Sequence, residues 1–256
     1  MAMRKLDDRE PGADRSGAAA RAVLRITEAA GETRGVALVL HGGRADSYDA
    51  VRGRHLSPAR MRPFARALHR QGGPHGLAVW TLRNRYRGWN GEDMSPVHDA
   101  RWALARISRE HPGVPVYLLG HSMGGLTALC VADDAQVEAV VALAPWLNHK
   151  TPVEPVAGRR VLIVHGTDDR WTSPANSLDY ARRADGVAAS VDYVSLKGAG
   201  HFMIRRVALW NVLANGSVLD AFGEATGADV SGATDALRRV LHRALPAAGT
   251  RLPVVL

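Results

Sequence analysis

Short apolar runs alternate with amphipathic segments along most of this chain, and this alternation predicts strands that alternate with helices. Several of the runs contain no polar residue at all, which is typical of strands that are covered on both faces. The runs predicted to be buried strands are 36–40, 77–82, 116–119, 137–144, 161–164 and 190–196. Before them, the segment 21–27 alternates apolar and polar residues, as an edge strand does.

Segments with helical spacing separate these strands. In the segment 59–70, apolar residues fall on one face and arginines on the other. Ser57 and Ser95 each precede a proline, so we expect them to be the N-caps of helices at 59–70 and 97–110. Further helices are expected at 175–184 and 233–245.

A chain of 256 residues with 46% hydrophobic content can bury one large core, and α/β proteins of this size commonly form a single domain. We expect the domain to span 21–256, because residues 1–20 lack periodicity and predict a mobile, disordered tail. No apolar run of about eighteen residues is present, so we expect no membrane association through a spanning helix. The charged N-terminus lacks the apolar core of a signal peptide, which favours a cytoplasmic protein.

The net charge of +8 and the isoelectric point near 10.3 raise nucleic acid as a partner. The basic residues, however, are nearly all arginines scattered among alanines and acids, without a basic stripe interleaved with aromatics. We therefore expect a solvated surface and no nucleic-acid partner, while attraction to anionic substrates stays open. Cys130 is the sole cysteine, which excludes an intrachain disulfide, and we expect it to be a small buried hydrophobe.

The most informative stretch is 120–125, with the sequence GHSMGG, which joins the run 116–119 to an apolar segment. Gly120 and Gly124 allow a strand and a helix to approach closely, and Ser122 stands at the apex of the turn between them. This pattern resembles the nucleophile elbow of the α/β-hydrolase family, in whose esterases and lipases the serine is the nucleophile. Taken alone, the same turn is also compatible with a phosphate-binding loop.

A His-Gly-Gly segment at 41–43 ends the strand predicted at 36–40. The resemblance implies that this segment supplies half of an oxyanion hole, the pair of backbone N–H groups that binds the charge developing on a carbonyl oxygen. Gly43 is the first choice for this donor and Arg44 the alternative, and Met123 supplies the second N–H.

Two further motifs extend the resemblance. The turn 165–169, with the sequence HGTDD, is similar to the family's His-Gly-x-x-Asp turn, whose aspartate orients the catalytic histidine. Matched residue by residue, this aspartate is Asp169, and its neighbour Asp168 is the alternative. His201 follows the last predicted strand in a Gly-Ala-Gly-His loop, as the family's catalytic histidine does. The order Ser122, Asp169, His201 is also that of the family.

Residues beside these motifs are candidate substrate contacts. The loop 83–91 carries three arginines and two aromatic side chains; it either contacts a carboxylate or phosphate of the substrate or packs against the sheet. The connection 145–160 is too short for the cap domain that many α/β-hydrolases insert there, so we expect an open site. The candidate substrate contacts are Arg44, Trp89, His121, Trp146 and Trp171.

The resemblance implies a single α/β-hydrolase domain with a mostly parallel sheet flanked by helices on both faces. It implies two-step acyl transfer, in which Ser122 attacks an ester, thioester or amide carbonyl and forms an acyl-enzyme. A carboxylesterase for small-molecule esters is the first interpretation, with no cofactor and no metal. A biosynthetic acyltransferase, thioesterase or cyclase is the alternative, and a non-catalytic binding protein is the third interpretation. No sequence feature indicates the oligomeric state.

Overall fold

The computed structural model describes residues 4–6, 20–242 and 254–256, and nine strands in this part of the chain form one sheet. The strands are β1 Arg4–Leu6, β2 Val23–Thr27, β3 Gly35–Leu40, β4 Leu77–Arg83, β5 Val116–His121, β6 Val137–Leu143, β7 Arg160–Gly166, β8 Ser190–Leu196 and β9 Val254–Val255. Their order across the sheet is β1-β2-β4-β3-β5-β6-β7-β8-β9. The β1–β2 and β2–β4 pairs are antiparallel, and all other pairs are parallel.

Six helices in the described part of the chain cover the two faces of this sheet. They are α1 Leu56–Gly72, α2 Ser95–Glu110, α3 Met123–Cys130, α4 Pro174–Ala184, α5 Val207–Thr226 and α6 Ser231–His242. Residues of α2, α3 and α4 pack on one face, and residues of α1, α5 and α6 pack on the other. The expected mostly parallel sheet between two helical layers is therefore confirmed.

The two hydrophobic cores follow from the pleat of the central strands. In β3, Val36 and Leu38 face the layer of α2, α3 and α4, whereas Ala37 and Val39 face the layer of α1, α5 and α6. All four side chains are fully buried. A strand that is apolar on both faces is stable only where helices cover both sides, which places β3 in the interior of the sheet.

The strand register brings the predicted motifs to one edge of the sheet. Leu40, just before the His-Gly-Gly segment, pairs with Gly120, just before the serine turn. Gly166, just before the two aspartates, pairs with Leu196, just before the loop of the predicted histidine. Because β3, β5, β7 and β8 are parallel, all four motifs leave the sheet at its carboxyl edge.

Two helix starts differ from the sequence expectation. α1 has His55 as its N-cap and Ser57 in its first turn, and α2 has Met94 as its N-cap and Ser95 as its first residue. The prediction that Ser57 and Ser95 are N-caps is therefore wrong. The Ser95 hydroxyl accepts a hydrogen bond from Asn90 Nδ2 at 3.1 Å, so it bonds a side chain rather than the backbone of α2.

The ends of the chain extend one helical layer and the sheet. α6 packs on α5 at Gly216, where a Cβ atom would lie 2.8 Å from Leu237 Cβ. The helix expected at 233–245 is α6, and its last three expected residues lie outside the described residues. The tail expected at 1–20 also lies mostly outside them, apart from β1, which pairs with β2.

The connection between β6 and β7 contains a single 3-10 turn, Glu154–Val156, so this segment forms no cap domain. The carboxyl edge of the sheet is therefore left without a cap at that point. Across the described ranges, no helix combines the length and apolar character that crossing a bilayer requires.

Candidate active site

The turn after β5 holds Ser122 in a strained backbone conformation. Its φ of 57° and ψ of −120° lie in a region that residues with a side chain rarely adopt. Four backbone hydrogen bonds hold this conformation. Ser122 N–H donates to the Leu143 carbonyl at 2.9 Å, and the Ser122 carbonyl accepts from the N–H groups of Gly125, Leu126 and Trp146 at 3.0, 3.1 and 3.2 Å. A Cβ atom at Gly120 would collide with the Gly124 carbonyl oxygen, so the turn requires glycine there. The turn thus presents the Ser122 side chain at the edge of the sheet.

Ser122, His201 and Asp169 form a continuous line of hydrogen bonds. His201 Nε2 lies 3.1 Å from Ser122 Oγ, and His201 Nδ1 lies 2.8 Å from Asp169 Oδ2. An ionised carboxylate can only accept, so Nδ1 carries the ring proton and the Nε2 lone pair faces the serine hydroxyl. His201 and Asp169 are buried, and Ser122 is half-buried. The arrangement fits a Ser-His-Asp triad.

Five donors surround the carboxylate of Asp169. Oδ1 accepts the backbone N–H groups of Trp171 and Thr172 at 2.8 and 2.9 Å. Oδ2 lies 2.8 Å from His201 Nδ1, 3.0 Å from Thr172 Oγ1 and 3.2 Å from His165 Nε2. Burial raises the pKa of Asp169, but the hydrogen bonds from both histidines and both backbone groups outweigh it and hold the pKa well below its usual range. Asp169 is therefore ionised at neutral pH.

His165 is the second imidazole on this carboxylate. The ring is fully buried, and its Nδ1 lies 2.8 Å from the hydroxyl oxygen of Ser177, in the first turn of α4. Because the ionised carboxylate of Asp169 can only accept, Nε2 carries the ring proton and donates to it, and Nδ1 accepts the Ser177 hydroxyl proton. His165 therefore ties the carboxylate to a helix.

Asp168, the alternative carboxylate, is exposed to solvent. It accepts a hydrogen bond from Thr167 Oγ1 at 3.0 Å and lies 3.9 Å from Arg205 Nη1. Of the two adjacent aspartates, Asp169 is the one that contacts His201.

Two more buried histidines support the site. His121 Nε2 donates to the His201 carbonyl oxygen at 2.9 Å, and the two rings lie 4.8 Å apart. Burial, with a smaller contribution from His201, lowers the pKa of His121 to about 3, and burial lowers the pKa of His41 to about 4. His41 Nδ1 donates to the Gly42 carbonyl at 2.7 Å, and its Nε2 accepts from Asn84 N–H at 3.2 Å. Both rings are therefore neutral hydrogen-bonding groups at neutral pH.

The backbone N–H groups of Gly43 and Met123, near Ser122, have no hydrogen-bond acceptor among the described residues. Met123 is the first residue of α3, where N–H groups lack an intrahelical acceptor. The Arg44 N–H, the alternative donor, is engaged by the Arg87 carbonyl oxygen at 2.8 Å. A Cβ atom at Gly43 would collide with the Met123 side chain and with the Arg87 carbonyl, so glycine alone fits there.

A cavity of about 810 Å³ opens beside Ser122. The exposed ring of Trp171 lies 6.4 Å from the His201 ring and nearly parallel to it. Apolar and cationic side chains share the wall. The apolar ones are Ala45, Val51, Leu56, Pro58, Met123, Trp146, Trp171 and Phe202, and the cationic ones are Arg44, Arg54, Arg60 and Arg87.

The chain is similar to several known proteins. A family model described as serine aminopeptidase, S33, matches residues 75–161. An α/β serine hydrolase homologue from Coxiella burnetii is 17% identical, with a TM-score of 0.60 over 85% of this chain and 97% of that chain. Esterase 2 from Thermogutta terrifontis, phosphoramylated by tabun, is 16% identical, with a TM-score of 0.60 over 78% and 89% of the two chains.

The esterase domain of a Rhodothermus marinus protein is 17% identical, with a TM-score of 0.58 over 87% of this chain and 98% of that chain. This chain has the α/β-hydrolase fold. No curated protein sequence matches it significantly.

The arginines of the loop 83–91 have different partners. Arg83 Nη1 donates to the Val51 carbonyl at 2.6 Å. Arg85 binds the buried Asp99 through its backbone N–H at 2.8 Å and its Nε at 2.6 Å. Arg87 lines the cavity. Arg83 and Arg85 therefore hold the loop in place, and Arg87 faces the cavity. Contact of this loop with a carboxylate or phosphate of the substrate stays a prediction.

Trp89 does not line the cavity, contrary to its selection as a substrate contact. Its ring packs edge-on against Trp146, with 6.3 Å between the ring centroids, so it supports a cavity residue from behind. Arg44, His121, Trp146 and Trp171 do line the cavity, although the His121 ring is almost fully buried.

Thr172 and Arg60 were not predicted to be part of the site. Thr172 lies three residues after Asp169, a spacing at which a turn residue often donates hydrogen bonds to an aspartate carboxylate. This spacing could have predicted the contact from the sequence. Arg60 had no local signal, because its position depends on how α1 packs beside Phe202.

Within the described residues, no three His, Cys, Asp or Glu side chains are grouped to hold a metal ion. Cys130 is half-buried, and burial raises the pKa of its thiol to about 11. The thiol is therefore protonated at neutral pH and is a poor nucleophile.

Proposed function

We propose that this α/β-hydrolase is a serine hydrolase that cleaves a carboxylic ester through an acyl-enzyme on Ser122. The observation that carries the proposal is the line of hydrogen bonds from Asp169 Oδ2 through the His201 ring to Ser122 Oγ, at 2.8 and 3.1 Å. The names of two similar structures, an esterase and an esterase domain, favour an ester as the substrate.

In the first step, His201 Nε2 takes the hydroxyl proton as Ser122 Oγ attacks the ester carbonyl carbon. The carbonyl electron pair moves onto its oxygen, and the free N–H groups of Gly43 and Met123 bind this oxyanion. The carbonyl then re-forms, the bond to the alcohol oxygen breaks, and His201 gives its proton to the departing alkoxide. The products are an alcohol and an acyl group on Ser122.

In the second step, His201 takes a proton from water, and the resulting hydroxide adds to the acyl carbon. The intermediate collapses, Ser122 Oγ leaves and regains a proton from His201, and the carboxylic acid is released. Asp169 stays ionised throughout and stabilises the imidazolium in both steps, because the hydrogen bonds from two histidines and two backbone N–H groups hold its pKa low.

Turnover of p-nitrophenyl esters of increasing chain length tests the proposal. We expect release of p-nitrophenolate that a fluorophosphonate stops, and the chain-length profile will report the size of the acyl site. Ser122→Ala should lower kcat by about 10⁴-fold or more without unfolding the protein. A Ser122→Ala protein that keeps most of the activity would contradict the mechanism.

Aminoacyl p-nitroanilides should be assayed in parallel, because the matching family model describes an aminopeptidase. We expect esters to be cleaved faster than the corresponding anilides. The reverse order would leave the acyl-enzyme mechanism in place and would make an amide, not an ester, the preferred substrate.

A further inference from the structure

Four arginines line the cavity beside Ser122, and no described Asp or Glu side chain lines it. Arg44 and Arg54 are exposed, and Arg60 and Arg87 are half-buried. We call these four residues the arginine rim. None of the proposed acyl-transfer steps uses their charge.

The rim lacks the close ion pairs that other arginines of this protein make. Arg85, Arg160 and Arg183 each contact a carboxylate oxygen at 2.6 to 2.9 Å. In the rim, Arg87 lies 3.7 Å from the exposed carboxylate of Asp49, and none of the other three lies within 4.0 Å of a described carboxylate. Most of the positive charge of the rim is therefore uncompensated.

Three of the four rim arginines act together on His55, in the cavity wall. Burial lowers the pKa of His55, and the charges of four arginines lower it further. In order of size, these four are Arg87, Arg54, Arg52 and Arg44. Three of them belong to the rim, so they contribute to one field beside the cavity.

Local contacts hold the backbone of Arg44 and Arg87 and the guanidinium of Arg60 before any ligand binds. Backbone hydrogen bonds join the loops of Arg44 and Arg87, from Arg44 N–H to the Arg87 carbonyl at 2.8 Å and from Trp89 N–H to the Arg44 carbonyl at 2.9 Å. The guanidinium of Arg60 lies 4.7 Å from the centroid of the Phe202 ring. A cationic site that is held in this way loses less conformational entropy when it binds an anion.

We propose that the arginine rim binds an anionic group, a carboxylate or a phosphate, on the ester that Ser122 cleaves. Guanidinium groups bind the paired oxygens of both anions with two parallel N–H donors. The substrate class is then an ester with a second, charged end, such as a half-ester of a dicarboxylic acid. The inference rests on the proposed function for the bond that is cleaved, whereas anion binding itself requires no cleavage.

Turnover of matched esters is the first test. In the first pair, p-nitrophenyl hydrogen adipate carries a carboxylate on its acyl part and p-nitrophenyl hexanoate does not. In the second pair, 4-acetoxybenzoate carries a carboxylate on its alcohol part and its methyl ester does not. We expect kcat/KM to favour the anionic member by about tenfold or more in at least one pair at low salt, and less at high salt. Equal values within both pairs would overturn the inference.

Variants assign the preference to the rim. Arg44→Gln combined with Arg60→Gln should lower kcat/KM for the anionic ester much more than for its neutral partner, and so remove most of the preference. Arg66→Gln, on the exposed side of α1, removes the same charge away from the cavity and should keep the preference. A double variant that keeps the full preference would contradict the assignment.

Binding to Ser122→Ala tests the inference without catalysis, with the fluorescence of Trp146 and Trp171 in the cavity wall as the readout. The probes are monomethyl adipate, methyl 4-phosphonobutanoate and the neutral dimethyl adipate. We expect at least one anionic probe to bind about tenfold more tightly than the neutral one. The stronger of the two shows whether the site prefers a carboxylate or a phosphonate, the analogue of a phosphate. Equal affinities would overturn the inference. Anion binding without any ester turnover or serine labelling would instead contradict the proposed function alone.

Discussion

Asp169 shows how single residues set the chemistry of this site. Its two oxygens accept from two backbone N–H groups and three side chains, and these bonds keep the carboxylate ionised although it is buried. An ionised carboxylate fixes the tautomer of His201, and that tautomer leaves Nε2 free to accept the proton of Ser122.

Replacement of Asp169 by asparagine should therefore be far more damaging than the same change at its neighbour. Asp169→Asn removes the negative charge and presents an NH₂ group to His201, so we expect kcat for a p-nitrophenyl ester to fall by about 10⁴-fold. Asp168→Asn, at an exposed position, should change kcat by less than about twofold. Circular dichroism should show that both proteins are folded. A larger loss in Asp168→Asn would move the carboxylate role to Asp168.

The sequence predicts the three hydrogen-bonded residues of the candidate triad better than it predicts the residues around them. Ser122, Asp169 and His201 stand in short motifs with fixed spacing, and the structure brings the three side chains into contact. The choice between Asp168 and Asp169 depends on the orientation of two adjacent side chains in one turn, which a motif leaves open. The arginine rim was not predicted as a group, because its members come from three segments that meet only after folding.

At the scale of elements, α5 shows a different limit of sequence analysis. Its buried residues occur around the helix, because one side meets the sheet and another meets α6. Such a segment shows no alternation of apolar and polar residues at the helical period, because that pattern requires one face of the helix to be exposed and polar. The central strands, in contrast, were predicted within three residues of their observed ends, because short apolar runs directly reflect burial on both faces.

The contact between α5 and α6 predicts opposite effects of one substitution at two glycines. Gly216→Ala places a methyl group 2.8 Å from Leu237 Cβ, so we expect the free energy of unfolding to fall by about 1 to 3 kcal/mol. Gly232→Ala, in α6, meets nothing within 4 Å and should raise it by up to about 1 kcal/mol through helix propensity. Urea unfolding measures both values. Equal stabilisation by the two variants would contradict the close packing of these helices.

At the scale of the whole molecule, the buried histidines couple stability to pH. The folded pKa values of His121 and His41, about 3 and about 4, lie below the ordinary value of 6.5. Between about pH 4 and 6.5 the unfolded chain therefore binds more protons at these positions than the folded chain does. The free energy of unfolding should rise with pH through this window, and this contribution is lost as the pH falls.

His41→Asn should reduce this pH dependence. Each histidine that is kept neutral by burial adds up to about 1.4 kcal/mol per pH unit to the slope, so the variant should show a slope smaller by about that amount. Urea unfolding at several pH values between about 4.5 and 7.5 provides the measurement. An unchanged slope in the variant would show that His41 is not the group that titrates.

The most direct test of the account is to locate the residue that a fluorophosphonate labels, by mass spectrometry of peptides from the wild-type protein. We predict a single label on Ser122, no label in Ser122→Ala, and much slower labelling in His201→Ala, because His201 is the base that activates the serine. Labelling of another residue, or a folded wild-type protein that is not labelled at all, would contradict the assignment of Ser122 as the nucleophile.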